Sequence, residues 1–199
     1  MGDMTAVVLA GGKSSRFGGK DKAFVRIGNV PMIELIVGTL AKLFENIIIV
    51  TNAPEKYTGY DDFTFITDIY RNSGPLGGIH AAMTRASTPF IFVVSCDMPY
   101  IDTAIVSEMK DEFGKSGDAD ALIPATGSRI EPLHAIYRTA LAESLGDFLA
   151  SAEDYSIRAF LKDKRVIYYP LPDTARERKA FTNINRPSDL DDAFLSRNH

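Results

Sequence analysis

Glycines and cations alternate just after the first apolar run of the chain, in Leu9-Ala-Gly-Gly-Lys-Ser-Ser-Arg-Phe-Gly-Gly-Lys-Asp-Lys22. Gly11, Gly12, Gly18 and Gly19 allow sharp bends and bring backbone N–H groups close to a bulky anion. Arg16, Lys20 and Lys22 supply cationic donors for phosphate oxygens, and the Arg16 fork can bind two at once. The segment contains neither Gly-x-x-x-x-Gly-Lys-Ser/Thr nor Gly-x-Gly-x-x-Gly, so the P-loop and dinucleotide fingerprints are both excluded. The chemistry indicated is polyphosphate binding of another kind.

A second candidate is Ser95-Cys-Asp-Met-Pro99, directly after the apolar run Phe90–Val94. A carboxylate there, Asp97, is placed to hold Mg²⁺ against triphosphate oxygens, although a turn or helix cap would use the same residue. Asn52 and Asp68 end two further apolar runs, where both residue types also serve as plain turn formers. Gly74-Pro-Leu-Gly-Gly78 strips side chains from the entry to a helix, leaving backbone open to a base or simply making a tight turn. Asn183 and Asn185 alternate with Thr182 and Ile184, so an extended strand would turn both amides to one side. Amides of this kind can donate and accept toward a heterocycle or a phosphate. Glu131-Pro-Leu-His134 is weaker: His134 reads as a core residue, with Arg129 and Glu131 as outlying candidates. Cys96 reads as structural, since no His partner lies near it in sequence. Arg176 and Arg178 read as solvated surface charge.

These residues need a scaffold that brings them together. Ala6–Leu9, Ile47–Val50, Phe63–Ile66 and Phe90–Val94 are short apolar runs suited to strands buried on both faces. Helical spacing lies between them at 31–44, 76–85 and 103–113, with Pro31 suited to a first turn and Asp102 to a cap. The alternation predicts an α/β fold: one domain over 1–199 with a doubly wound, mostly parallel sheet and helices on both faces. Strand ends carrying Gly11, Asn52, Asp68 and Asp97 would then share one edge, where such sheets place ligands. Beyond residue 117 the spacing predicts strands at 119–124, 133–137 and 166–171, and helices at 139–150, 156–162 and after Pro187. Residues 173–179 are polar and predict a mobile loop. The division is a nucleotide-binding half at about 4–116 and an acceptor-binding elaboration at about 117–199.

The bulk numbers narrow the partners. At 199 residues, 45% hydrophobic and 24% charged, the chain has an ordinary globular composition. A net charge of −4 argues against broad nucleic-acid binding, which needs a basic surface, but not against a small anion in a locally positive pocket. A single cysteine excludes an internal disulfide framework and a multi-Cys zinc site. No apolar run approaches the length of a membrane span, and no signal-peptide pattern opens the sequence, so the expectation is a cytoplasmic protein with no membrane partner.

The segment Leu-Ala-Gly-Gly-x-x-x-Arg-Phe-Gly-Gly-x-Asp-Lys resembles the signature of glycosyltransferase-A-like nucleotidyltransferases. Within them it is most similar to the molybdenum cofactor guanylyltransferase family, with Phe17 where that family carries Met. Cys96-Asp-Met-Pro-Tyr100, Gly74-Pro-Leu-Gly-Gly78 and Phe181-Thr-Asn-Ile-Asn-Arg-Pro-Ser-Asp-Leu190 match its further motifs. The resemblance is thin at 114–129 and at 151–179. It implies GMP transfer from GTP to the phosphate of molybdopterin, with release of pyrophosphate and Mg²⁺ as cofactor. It assigns Leu9, Ala10, Gly11, Gly12, Asn52, Asp68 and Gly78 to GTP, with Asp68 able to accept from guanine N1–H and the exocyclic amine. Arg16 and Lys22 go to the triphosphate, Asp97 to the metal and nucleotide, and Asn183 and Asn185 to molybdopterin or the molybdenum cofactor. It further implies transient contact with proteins that deliver the cofactor or mature molybdoenzymes. Two alternatives stay open on these residues: a cytidylyltransferase or sugar-nucleotide pyrophosphorylase of the same fold, and a non-catalytic GTP-binding carrier or sensor.

Overall fold

The computed structural model describes residues 3–11, 21–60, 62–186 and 188–189. Its first strand, β1 (Met4–Leu9), is buried along its whole length, as expected for a strand covered on both faces. A short hairpin, β2 (Arg26–Ile27) and β3 (Val30–Pro31), leads into α1 (Met32–Leu40), then β4 (Asn46–Val50), β5 (Thr64–Ile66) and α2 (Gly74–Arg85). Next come β6 (Phe90–Ser95) and α3 (Thr103–Lys115), followed by β7 (Ala121–Thr126), β8 (Arg129–Ile130) and β9 (His134–Arg138). The chain continues through α4 (Ala142–Ser151), α5 (Ile157–Leu161), β10 (Val166–Leu171) and α6 (Ala175–Ala180).

The main sheet runs β10-β7-β9-β6-β1-β4-β5, with β8 attached to β7. Neighbours from β6 to β5 are parallel, as are β7 and β10. The exception on this path is β9, which pairs antiparallel with both β6 and β7. The expected mostly parallel sheet is present, and the second half of the chain extends it.

Alternation along each strand separates two apolar layers. Ala6 and Val8 of β1, with Phe92 and Val94 of β6, meet α1 and α3 through Ile36, Leu40, Met109 and Phe113. Val7 and Leu9, with Ile91 and Val93, face α2, α4 and α5 through Ile79, Leu145 and Phe160. Each fully buried side chain of this size stabilises the fold by about 1.5–3 kcal/mol relative to exposure. The register pairs Leu9 with Val50 and with Ser95, so β1, β4 and β6 end level with one another.

Several element limits differ from the spacing. α1 ends at Leu40, yet Phe44 is buried, because turns at 41–43 carry the apolar pattern on after the helix stops. α2 begins earlier than expected, at Gly74, with Pro75 in its first turn. A 3₁₀ turn at 139–141 precedes α4. The hairpin β2–β3 and the two-residue β8 were not anticipated, being too short to show a period. The expected helix after Pro187 lies largely outside the described residues.

The expected mobile loop at 173–179 is instead α6, and the reason is local. Thr174 accepts from the Arg176 backbone N–H, and its hydroxyl donates to the Glu177 carboxylate. That is the Thr-x-x-Glu capping box, which satisfies orphan donors at a helix start. Arg176 is likewise not simple solvated charge: its Nε and Nη2 donate to the two oxygens of Asp102, each at 2.8 Å. Asp102 also caps α3 by accepting from Ala104 and Ile105. The Arg176 guanidinium is the main influence holding the Asp102 carboxyl at about 2.

Candidate active site

At the end of β1, Ala10 N–H donates to Val50 O at 2.8 Å and Leu9 O accepts from Cys96 N–H at 3.0 Å. These bonds hold Leu9, Ala10 and Gly11 between the strand ends that lead to Asn52 and Asp97. Gly12 and Arg16, with the rest of the glycine-rich segment at 12–20, lie outside the described residues.

On one side of Gly11, Asn52 and Asp68 clasp each other. Asn52 Nδ2 donates to Asp68 Oδ2 at 3.0 Å, and Asp68 N–H donates to Asn52 Oδ1 at 3.2 Å. The amide therefore fixes the direction of the carboxylate. Gly78 lies against this pair: a Cβ there would come 3.0 Å from Leu9 Cδ2 and 3.4 Å from Asp68 Oδ1. Its missing side chain lets α2 close onto β1 and Asp68. Gly77 is tighter, since a Cβ would fall 2.6 Å from the Tyr70 carbonyl oxygen.

On the other side, Asp21 opens a 3₁₀ turn whose first residue is Lys22. Lys22 Nζ donates to Asp97 Oδ2 at 2.9 Å and to Asn185 Oδ1 at 2.8 Å. Those partners are 75 and 163 residues away in sequence. Asp97 O also accepts from Ile184 N–H at 2.8 Å. Asp97 Oδ1 is buried and has no hydrogen-bond partner among the described residues. The structure thus brings Lys22, Asp97 and Asn185 into direct contact.

Asn183 and Asn185 line one cleft of about 570 Å³ together with Thr126, Arg129, Glu131 and Arg178. They do so from irregular backbone, not from the expected strand. Ile184 between them is fully buried with Ile27 and Met32, which anchors the segment and keeps the alternation. Arg178 is exposed surface charge as expected, 61% accessible, and it also lines this cleft and donates to the Asp173 carboxylate and carbonyl. The Thr-x-x-Glu signal at 174–177 could have found this wall of the cleft, because it places a helix immediately before the asparagines. The Glu131 side chain is largely buried, and desolvation pushes its carboxyl up against the opposing pull of Arg129.

Cys96 is buried and burial pushes its thiol up to about 12, which fits the structural reading. His134 is a core residue as expected: it is fully buried between Phe92 and Phe181, edge-on to both rings. Burial lowers it from 6.5 to about 4, so the folded state holds a neutral ring while the unfolded chain takes up a proton below pH 6.5. The neutral ring therefore costs nothing above that pH, and stability falls as pH drops from 6.5 toward 4. At pH 5 the expected loss is about 2 kcal/mol, roughly 4–8 °C in Tm for a chain of this size. Melting curves at pH 7 and 5 check this against His134→Leu, in which that part of the fall should vanish. An identical fall in the variant would remove His134 as its source.

A mostly parallel sheet that offers a backbone-lined strand end and, on the same edge, a carboxylate held by a lysine has the layout of α/β nucleotidyltransferases. The chain belongs to the family described as the MobA-like NTP transferase domain, whose model matches residues 6–167. It is 41% identical over 168 residues to a probable molybdenum cofactor guanylyltransferase from Peptoclostridium acidaminophilum, covering 82% of this chain and 70% of that one. It is 35% identical to the molybdenum cofactor guanylyltransferase of Syntrophotalea carbinolica, over 94% of this chain and 89% of that one. Among solved structures, molybdopterin-guanine dinucleotide biosynthesis protein A from Archaeoglobus fulgidus superposes with a TM-score of 0.83 at 28% identity, covering 98% of each chain. No helix among the described residues is long and apolar enough to cross a membrane.

Proposed function

We propose that the chain transfers GMP from GTP to the phosphate of molybdopterin and releases pyrophosphate. The observation that carries this reading is the contact of Lys22 with both Asp97 and Asn185, which joins the nucleotide edge to the cleft lined by the two asparagines. The names of the relatives supply the substrates. An acceptor phosphate oxygen attacks the α-phosphorus of GTP, the bond from that phosphorus to the α–β bridging oxygen breaks, and pyrophosphate leaves. No protein nucleophile is needed, because the acceptor is already an anion, so positioning and electrostatics carry the acceleration.

The residues fit Mg²⁺ as the divalent cofactor. Asp97 supplies a hard oxygen, Oδ1, without a hydrogen-bond partner among the described residues. Mg²⁺ typically binds through one or two carboxylates plus substrate phosphates, which suits a lone aspartate. When bound, the ion would neutralise charge on the triphosphate. Asp68, steered by Asn52, would accept from guanine N1–H and the exocyclic amine, a donor pair that cytosine lacks. Leu9, Ala10, Gly11, Gly12 and Gly78 would shape the nucleotide's seat, and Arg16 and Lys22 would pair with its triphosphate. Asn183 and Asn185 would hold the acceptor. A reducing compartment such as the cytoplasm, and transient contacts with cofactor-delivering or molybdoenzyme-maturing proteins, belong to the same reading.

Thermal shift separates the bases. At a hundred times its Kd a ligand adds about 2.7 kcal/mol of stability, so GTP should raise the Tm while CTP and UTP at the same concentration should not. Pyrophosphate release on adding molybdopterin, Mg²⁺ and GTP completes the test. Equal stabilisation by CTP would remove the guanine assignment, and binding without release would leave a carrier.

A further inference from the structure

Glu131, Asp173 and Glu177 are the carboxylates lining the cleft beside Asn183 and Asn185. Two of them are already committed. Asp173 is itself open to water, with a side chain 66% accessible, and takes Arg178 on both its carboxylate and its carbonyl, so it calls for no further donors. Glu177, on the buried face of α6, accepts the Thr174 hydroxyl in the capping box. Glu131 is different. Arg129 Nε lies 2.8 Å from its Oε1, yet that buried oxygen has no properly aligned hydrogen bond among the described residues. Arg129 is itself largely exposed, with a side chain 69% accessible against 13% for Glu131. An exposed guanidinium exchanges readily with water, whereas a largely buried carboxylate calls for donors.

The backbone around Glu131 is fixed before any ligand arrives. Glu131 N–H donates to Pro124 O at 3.0 Å, and Glu131 O accepts from His134 N–H at 3.0 Å. The next carbonyl, Pro132 O, accepts from the buried Tyr137 hydroxyl at 2.6 Å. The turn between β8 and β9 is therefore pinned on both sides of the carboxylate, the arrangement expected of a group that selects rather than adapts.

A 2-amino-4-oxo pterin carries N3–H and a 2-amino N–H side by side. Their spacing matches the two oxygens of one carboxylate, in the way a guanidinium fork does. Resting on the molybdopterin reading above, we propose that Glu131 determines acceptor specificity by receiving the N3–H and 2-amino donors of the pterin ring. Asn183 and Asn185 then serve the remainder of the acceptor, nearer Lys22 and Asp97.

The test uses the full chain with pterin and with lumazine, the analogue bearing a 2-oxo group in place of the amine. Binding is followed by the probes' own fluorescence and needs no turnover. The unmodified protein should favour pterin by about tenfold or more, since lumazine keeps N3–H but sets a 2-oxo acceptor against the carboxylate where pterin offers a donor. Glu131→Gln should lose that preference, and Glu131→Asp should recover part of it. In steady-state transfer, Glu131→Gln should raise the acceptor KM about tenfold while the GTP KM stays within about twofold. A role confined to tethering Arg129 would leave the pterin-to-lumazine ratio unchanged in the variant, and that result overturns the proposal, as does an unmodified protein that does not distinguish the two. Failure of the unmodified chain to release pyrophosphate with molybdopterin would instead overturn the transferase reading, and the fluorescence arm would still decide the role of Glu131.

Discussion

Replacing Asp97 by asparagine should reduce nucleotidyl transfer by about a thousandfold or more while leaving the fold intact. Asparagine keeps the volume and one oxygen, so Ile184 can still donate to the main-chain carbonyl of residue 97. What disappears is the negative charge that would hold a divalent ion against the triphosphate, a contribution worth several kcal/mol in the transition state. The stability cost should be small: the side chain is part exposed, and Lys22 keeps its bond to Asn185. Turnover at saturating Mg²⁺ and GTP, read beside a melting curve, checks both halves. More than a tenth of normal turnover in a well-folded variant would remove Asp97 from the metal site.

Replacing Lys22 by methionine should lower kcat/KM for both substrates, by a factor on the order of a hundred to a thousand. Methionine retains most of the stem and loses the ammonium that contacts Asp97 and Asn185. A residue serving only the triphosphate would weaken GTP alone. Because Lys22 also anchors Asn185, the acceptor constant should suffer as well, and Lys22→Met combined with Asn185→Ala should be less harmful than the sum of the two changes. Arginine should rescue poorly, since a planar fork does not reproduce a point contact shared by two oxygens. Strict additivity in the double variant, with an unchanged acceptor KM in Lys22→Met, would separate Lys22 from the acceptor side.

Much of this site was legible because apolar runs marked strand ends. Once β1, β4 and β6 were read as parallel neighbours, Gly11, Asn52 and Asp97 had to share an edge, and the register bears that out. Asn183 and Asn185 were found by motif and by alternation, though not in the strand that alternation suggested. Ile184 sets their facing by sinking into the core, and burial of one residue produces the same two-sided pattern without a ladder. The contact of Lys22 with Asn185 could not be read in advance, since it depends on long-range topology. At 173–179 the run of charges predicts a loop, whereas the four-residue Thr-x-x-Glu cap makes a helix. Arg176 pairs with Asp102, 74 positions earlier, a partnership that only the packed structure reveals.

The sheet order also bears on how copies of the chain behave when crowded. Among the described residues its two margins are β5 and β10, where unpaired N–H and C=O groups could recruit another strand and begin aggregation. β5 offers only three residues, less than a stable ladder requires. β10 is six residues long with Tyr168 exposed, but Pro170 removes a donor near its end, and Arg165 just before its start is held by Asp118 and Asp120. An approaching strand meets brevity at one margin and a missing donor at the other. The long parallel core can thus be built from strongly β-prone runs such as Ile47–Val50 and Phe90–Val94 without exposing a free edge that would zip one molecule to the next.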